Sequence, residues 1–355
     1  MYRTNRILSI FLFIQIIIIQ LLNNFPDFIE KYYSNGIYKF LSSIFRYVFG
    51  WVPFSVGDII YIFLIIFAIR FLIKIFKDRN RNFKYLFFQI GATFSIIYFL
   101  FYFLWGLNYS RNPLSTSMEL KQNEYNLNEL TSFSEKLLIK LSKLQTDLTD
   151  NDSLRVKVPL NKTEILNQSA NGYHNLSRKF SQFEYHPISI KKSLFSLPLT
   201  YMGFAGYFNP LSGEAQVDHL IPKVSLPMTC SHEIAHQLGI ASESEANFIG
   251  FLAAIENDDK YFQYSAYLMA YRYTLHDIAK KDPTIFKEFL AKTPIGIKKN
   301  FKEIEIFWNQ YKNPTEPLFK SFYDNYLKVN QQKDGLKSYS KMVDLLLAYD
   351  VKYSL

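Results

Sequence analysis

Residues 7–23 read ILSIFLFIQIIIIQLLN, a run without a single charged side chain. At a rise of about 1.5 Å per residue, such a run crosses a hydrocarbon layer of roughly 30 Å with little length to spare. A second apolar run extends from Trp51 to Phe76 and is interrupted by Asp58 and Arg70. A third, YLFFQIGATFSIIYFLFYFLWGL from Tyr85 to Leu107, again carries no charge. These runs predict three membrane spans at about 7–25, 53–76 and 85–107. Arg3 and Arg6 ahead of the first run would suit a secretion signal. The chain continues as Asn23-Asn24-Phe25-Pro26-Asp27, however, with no pair of small residues to cleave behind, so an uncleaved anchor is expected. In the second run Arg70 and Lys74 can snorkel while Asp58 sits near the opposite interface, and Trp105 and Tyr109 suit the exit of the third.

The charges between the runs set an orientation. Arg3 and Arg6 flank the N-terminus, and the second loop carries Arg70, Lys74, Lys77, Arg79, Arg81 and Lys84 against Asp78. The first loop, roughly 24–58, is balanced, with Lys31, Lys39 and Arg46 against Asp27, Glu30 and Asp58. The positive-inside rule then predicts that the N-terminus lies in the cytoplasm and that everything after the third span lies outside it. The formal charge of +9 invites a nucleic-acid reading only as an average. Residues 1–106 hold 11 Lys/Arg and 4 Asp/Glu, so most of the excess is a topology signal and no nucleic-acid partner is expected. The single cysteine excludes a disulfide scaffold and any multi-cysteine metal site, and Cys230 reads as a small buried residue.

From residue 107 to 355 no apolar run is long enough to span. Periodicity predicts helices at roughly 127–147, 162–180, 228–238, 243–256, 259–281, 283–292, 297–311, 317–330 and 338–350. The segment GFAGYFNPLSGEAQV alternates and is broken at 209–213, which predicts a β-hairpin. The expected architecture is mainly α with a small β element (α+β): a membrane domain over 1–106, then a mostly helical extracytoplasmic domain over 107–355.

The chemistry concentrates between Cys230 and Asn247. His232-Glu233-Ile234-Ala235-His236 places two imidazoles four residues apart, one turn from each other on one helix face, where they can share a Zn²⁺ ion. Glu233 flanks that face and can reach a water beside the metal as general base. A third ligand is needed, and the position six residues after His236 is Ser242, so a third histidine there is excluded. Gly239 is expected to end the helix, and Ser242 with Glu245 reads as a capping box opening the next one. That occupies Glu245 and leaves Glu243 free to face the metal, with Asn247 one turn further on to orient a ligating imidazole. The six-residue spacing still leaves Glu245 as a substitute ligand.

Glu243-Ser244-Glu245-Ala246-Asn247 resembles the E-x-x-A-D/N helix found downstream of H-E-x-x-H in gluzincin-type zinc peptidases. The resemblance implies His232, His236 and Glu243 as ligands, Glu233 as base and Asn247 behind them. Over nearly its full length the chain also resembles an uncharacterised family of Bacteroidota membrane proteins: three spans, then HEIAHQ-G and E-x-E-A-N; that resemblance implies a bacterial inner-membrane protein with a periplasmic C-terminal domain.

Together these features predict a membrane-anchored zinc-dependent peptidase acting on a peptide or protein substrate outside the cytoplasm. A non-catalytic zinc-binding scaffold or sensor is the alternative. In zincins an edge strand above the motif helix pairs with extended substrate, and Gly203, Phe204, Ala205, Gly206, Tyr207 and Phe208 are the candidates here. Oxyanion stabilisation is expected from the later helices, where Tyr271, Tyr273 and His276 offer donors. Asp218-His219 reads as a turn rather than a further metal group.

Overall fold

Three helices are long and apolar enough to cross a membrane: Tyr2–Leu22, Val56–Lys77 and Phe83–Leu104. The computed structural model describes residues 2–77, 82–121, 125–332 and 339–355; Asp78, Arg79, Arg81 and the first residue of the expected 338–350 helix lie outside them. The first and third spans pack together, with Gln15 Nε2 donating to Ser95 Oγ at 3.1 Å. The apolar stretch of the second stands clear of both.

Helix bounds in the rest of the chain obey local chemistry closely. Asn126 and Asn161 open Leu127–Thr149 and Lys162–Lys179 with capping boxes closed by Glu129 and Glu164. Asp259 caps Lys260–Lys281, and Asp282 ahead of Pro283 caps Pro283–Lys292. Ile295–Tyr311, Glu316–Val329 and Tyr339–Tyr353 complete the series. At the centre lie Leu226–Gln237, the motif helix, and Glu243–Ile255, the glutamate helix. Ile234, Ala235, Ala246, Phe248, Ile249 and Phe251 are fully buried between their neighbours. Gly250 lets these two helices close up, since a Cβ there would meet the His232 backbone nitrogen at 2.8 Å.

The sheet has three strands: β1 (Ile190–Lys192), β2 (Gly206–Asn209) and β3 (Glu214–Val217), in the order β1-β3-β2. β1 runs parallel to β3 with Ile190 opposite Ala215, and β2 runs antiparallel with Gly206 opposite Val217. β2 is therefore an edge. The expected hairpin is present but shorter than 203–208, because Ser196–Met202 is a helix and Gly203 ends it at φ +79°.

The first loop is not a plain linker. Residues 26–49 form continuous helical turns, with i→i+5 bonding over Ile29–Tyr38 and an α-helix over Lys39–Phe49. Apolar pattern and charge balance alone gave no sign of them. The start of the second span is also built into the sheet. Glu214 accepts from Gly57 N at 2.6 Å and Val56 N at 3.2 Å, capping that helix from β3. Asp58, wholly buried, accepts from Leu194 N at 2.6 Å, Ser193 Oγ at 3.0 Å and the Tyr207 hydroxyl. With its amide nitrogen turned toward Asp58, Gln216 donates to both carboxylate oxygens at 2.7 and 2.9 Å.

Candidate metal centre

The motif helix ends where Gly239 adopts φ +82°, a left-handed conformation only glycine reaches without cost, and the glutamate helix begins shortly after at Glu243. This tight reversal brings Glu243 back over the two imidazoles. His232 Nε2 and His236 Nε2 lie 3.1 Å apart, and the Glu243 carboxylate oxygens lie 3.4 Å from the first and 3.5 Å from the second. Glu233 belongs to the same cluster: His232, Glu233 and His236 each offer a ligand atom, all within 4.8 Å of one another. Glu243 is distinguished by spanning both rings, Glu233 by being buried and lacking a partner for Oε2.

The His236 ring is held in orientation from behind. His236 Nδ1 donates to the Ile240 carbonyl at 2.7 Å, which leaves its Nε2 lone pair pointing into the cluster. Trp105 packs edge-on to the same ring. Asn247 lies beside His232 and favours its charged form, but without closing to a hydrogen bond, so His232 Nδ1 is unpartnered. The Tyr323 hydroxyl, from Glu316–Val329, donates to Glu243 Oε1 at 2.6 Å.

The expected capping box does not form. Ser242 makes no side-chain cap and instead meets Ser244 Oγ at 3.0 Å. Glu245 turns away to accept from Leu114 N at 2.6 Å, the open start of the short helix Leu114–Ser117. Its carboxylate is thereby engaged away from the imidazoles, and Glu243 is the glutamate that faces both rings. Among the expected oxyanion donors, Tyr271 is buried with its hydroxyl on Thr293 Oγ1 at 2.8 Å and its ring stacked on Phe301. Tyr273 packs on the apolar core and His276 is exposed, so none of the three joins the cluster. Tyr323 is the hydroxyl that does. His219 Nδ1 pairs with Ser196 Oγ at 2.7 Å and Cys230 is buried, as a turn residue and a small core residue should be.

The edge-strand residues divide by task. Gly206 lies directly against Glu233: a Cβ there would stand 2.5 Å from its Oε1 and 2.7 Å from the Gln216 carbonyl. The Tyr207 hydroxyl is committed to Asp58, and Phe208 packs on Trp105. Ala205 accepts from Asp218 N at 2.8 Å, and Phe204 packs edge-on to Tyr323. Gly203 serves only to end the helix Ser196–Met202.

A second set of residues, unforeseen in the sequence, grips the C-terminal end of the motif helix, whose last carbonyls have no partner within the helix. Ser42 Oγ and Tyr38 OH donate to Gln237 O at 2.7 and 3.0 Å, and Trp105 Nε1 donates to His236 O at 3.2 Å. Arg111 donates to Gly239 O at 3.0 Å while its other nitrogens hold Glu30 at 2.6 and 2.8 Å. The Gln237 amide reaches the carbonyls of Ser189 and Gly213 at 3.0 and 2.7 Å and accepts from Tyr185 at 2.8 Å. The support for the motif helix thus comes from both sides of the domain boundary expected at 106.

Burial shapes the protonation states. It pushes the Glu233 carboxyl up to about 8, with the Glu243 charge adding to it and His232 opposing. It lowers His236 to about 4. For Glu243 burial works the other way, but the two imidazoles and Tyr323 outweigh it and hold the carboxyl down at about 2. His232 is raised: burial opposes the shift, and Glu243, Glu233 and Asn247 overcome it. An ionised carboxylate and a neutral imidazole with a free lone pair are what a cation requires of its ligands.

These features define a class: a mainly helical, multi-pass membrane protein with a buried His-Glu-His-Glu cluster. The chain belongs to the family described as "Protein of unknown function (DUF3810)", which it matches over residues 33–347, most of the first-loop helices included. Comparison with curated proteins and with solved structures yields no match.

Proposed function

We propose that this protein is a membrane-anchored, gluzincin-like zinc peptidase, oriented with its N-terminus in the cytoplasm and residues 107–355 on the extracytoplasmic face. The observation that carries the reading is the spacing of three ligand atoms. Four-coordinate zinc with bonds of about 2.0–2.1 Å requires ligand atoms about 3.3 Å apart. The separations among His232 Nε2, His236 Nε2 and Glu243 are 3.1, 3.4 and 3.5 Å. The unpartnered Glu233 Oε2 adds a buried polar atom that a hydrogen-bonded core would have satisfied.

His232, His236 and Glu243 would hold the ion. Bound zinc supplies Lewis acidity toward a carbonyl oxygen and acidifies water beside it. The rest falls to the chain. Glu233 accepts a proton from the attacking water and returns it to the departing amine, so that one amide and one water become a carboxylic acid and an amine. With zinc bound beside it, Glu233 would titrate below its metal-free value and so serve as a base at neutral pH. Tyr323 keeps Glu243 turned to the imidazoles. β2, with its outer edge unpaired among the described residues, offers main-chain hydrogen bonds to an extended substrate running past Gly206.

The test uses the full-length chain in lipid nanodiscs, because first-loop residues support the motif helix. Wild type should carry near-stoichiometric zinc and cleave members of a peptide library. Glu233→Gln should keep the zinc and lose cleavage. Zinc without cleavage in wild type would favour a binding scaffold, and absence of zinc would refute the reading.

A further inference from the structure

Glu316–Val329 presents two faces. One carries Tyr323 to Glu243; the other leaves Leu318, Phe322 and Val329 exposed at 70%, 73% and 69%. These three lie within a narrow stripe of the helix. Beside it, Leu194, Leu197 and Tyr201 are also exposed, and the two surfaces are joined by Asn313 Nδ2 donating to Tyr201 O at 2.7 Å.

Both surfaces are pinned to the ends of membrane spans. Tyr102 OH donates to Asn330 Oδ1 at 2.9 Å and Phe101 packs on Tyr326, tying Glu316–Val329 to the last turn of the third span. Leu194 N donates to Asp58 and Tyr207 stacks on Tyr61, tying the other surface to the first turns of the second. Asp58, Tyr61, Phe101 and Tyr102 all lie within roughly 8 Å of their span ends along the helix axis. The polar layer of a bilayer is about 5–8 Å thick on each side of the hydrocarbon, which puts the tied ends of the two surfaces, at Val329 and Leu194, near that depth. Between the two surfaces lies a cavity of about 800 Å³ lined by Met202, Phe204, Leu318, Phe319, Phe322 and Tyr323. The hydroxyl of Tyr323 is the donor to Glu243, so the cavity abuts the metal cluster.

We infer that this apolar surface is seated in the headgroup layer, and that the cavity receives apolar residues of a polypeptide anchored in the same membrane. Cleavage then falls just outside the substrate's own anchor. A polypeptide fits the cavity better than a lipid chain, because Phe204, two residues before β2, lines it together with Tyr323, whose hydroxyl holds Glu243. This substrate class rests on the peptidase reading; the seating does not.

The experiment uses full-length protein in phosphatidylethanolamine–phosphatidylglycerol nanodiscs, prepared with and without brominated acyl chains. Phe322→Trp adds emission over the native tryptophans, and bromine should quench that added emission. Unquenched added emission overturns the seating. In parallel, one cleavable sequence is supplied free and fused to a hydrophobic anchor. The anchored form should be cleaved at least about tenfold faster in kcat/KM, through its effective concentration at the surface. Leu318→Asn with Phe322→Asn should collapse that ratio toward one. Equal cleavage of both forms by wild type, or a ratio unchanged by the double substitution, overturns the substrate class while leaving the peptidase reading intact. Cleavage of neither form, with quenching present, refutes the peptidase reading and leaves the seating.

Discussion

Gly206→Ala offers a controlled displacement of Glu233, the proposed base. The added Cβ would stand 2.5 Å from Glu233 Oε1, 2.9 Å from its Cδ and 2.7 Å from the Gln216 carbonyl. Ordinary contact begins near 3.4 Å, so a gap of about 0.9 Å must open. The Gln216 carbonyl belongs to the strand paired with β2 and resists movement, whereas the Glu233 carboxylate ends a rotatable side chain. The base therefore yields most. Misplacing a reacting group by about 1 Å costs on the order of 10²-fold in rate, and overpacking costs roughly 1–3 kcal/mol of stability. None of His232, His236 or Glu243 is among the nearest atoms to the new methyl. The assay pairs zinc content with kcat/KM on a cleaved peptide, both in nanodiscs. The expected result is unchanged zinc with turnover reduced about a hundredfold. Wild-type turnover would refute the placement of the base against β2, and loss of zinc would show that the strand supports the ligands instead.

Three further outcomes are expected from the same geometry. Tyr323→Phe removes the hydroxyl that orients Glu243 and should weaken zinc binding by roughly 10–100-fold in a chelator competition. Asp58→Ala leaves Leu194 N, Ser193 Oγ and the Tyr207 hydroxyl without their acceptor, at about 1–3 kcal/mol for each one left dry; the unfolding midpoint should fall accordingly. In metal-free protein, folding raises the Glu233 carboxyl from near 4.5 to about 8. The folded state thus keeps a proton that the unfolded chain releases, and the stabilisation present below pH 4.5 is lost as pH rises to 8. His236, lowered to about 4, tilts stability the other way between pH 4 and 6.5, so the decline should appear as the difference between thermal melts of metal-free wild type and Glu233→Gln.

The spans and nearly every helix of the C-terminal domain were legible because their causes are local: charge-free runs, 3.6-residue periodicity, and caps at Asn126, Asn161, Asp259 and Asp282. Glu243 was legible for the same reason, lying one tight turn from His236. Glu243 is the one that faces the imidazoles, and Glu245 is held elsewhere by Leu114 N, far back in the chain, rather than by a local capping box. What the sequence did not disclose is long-range. Tyr323 is one of 26 tyrosines and lies eighty positions from the carboxylate it contacts, with no motif around it. The grip of Tyr38, Ser42, Trp105 and Arg111 on the motif helix joins segments up to nearly two hundred residues apart. Aromatic residues there read equally well as interfacial anchors. Tyr271 and Tyr273 satisfied the chemical requirement for a donor, but helical phase directs the first into the core.

A metal held by two imidazoles and a carboxylate is the centre of the proposed mechanism, and zinc-edge X-ray absorption of the full-length chain tests it most directly. The spectrum should show about one zinc per chain with nitrogen and oxygen ligands at about 2.0–2.1 Å, two of them imidazoles, and the signal should disappear in His236→Ala. A metal-free wild-type chain, or zinc that persists unchanged in that variant, would contradict it.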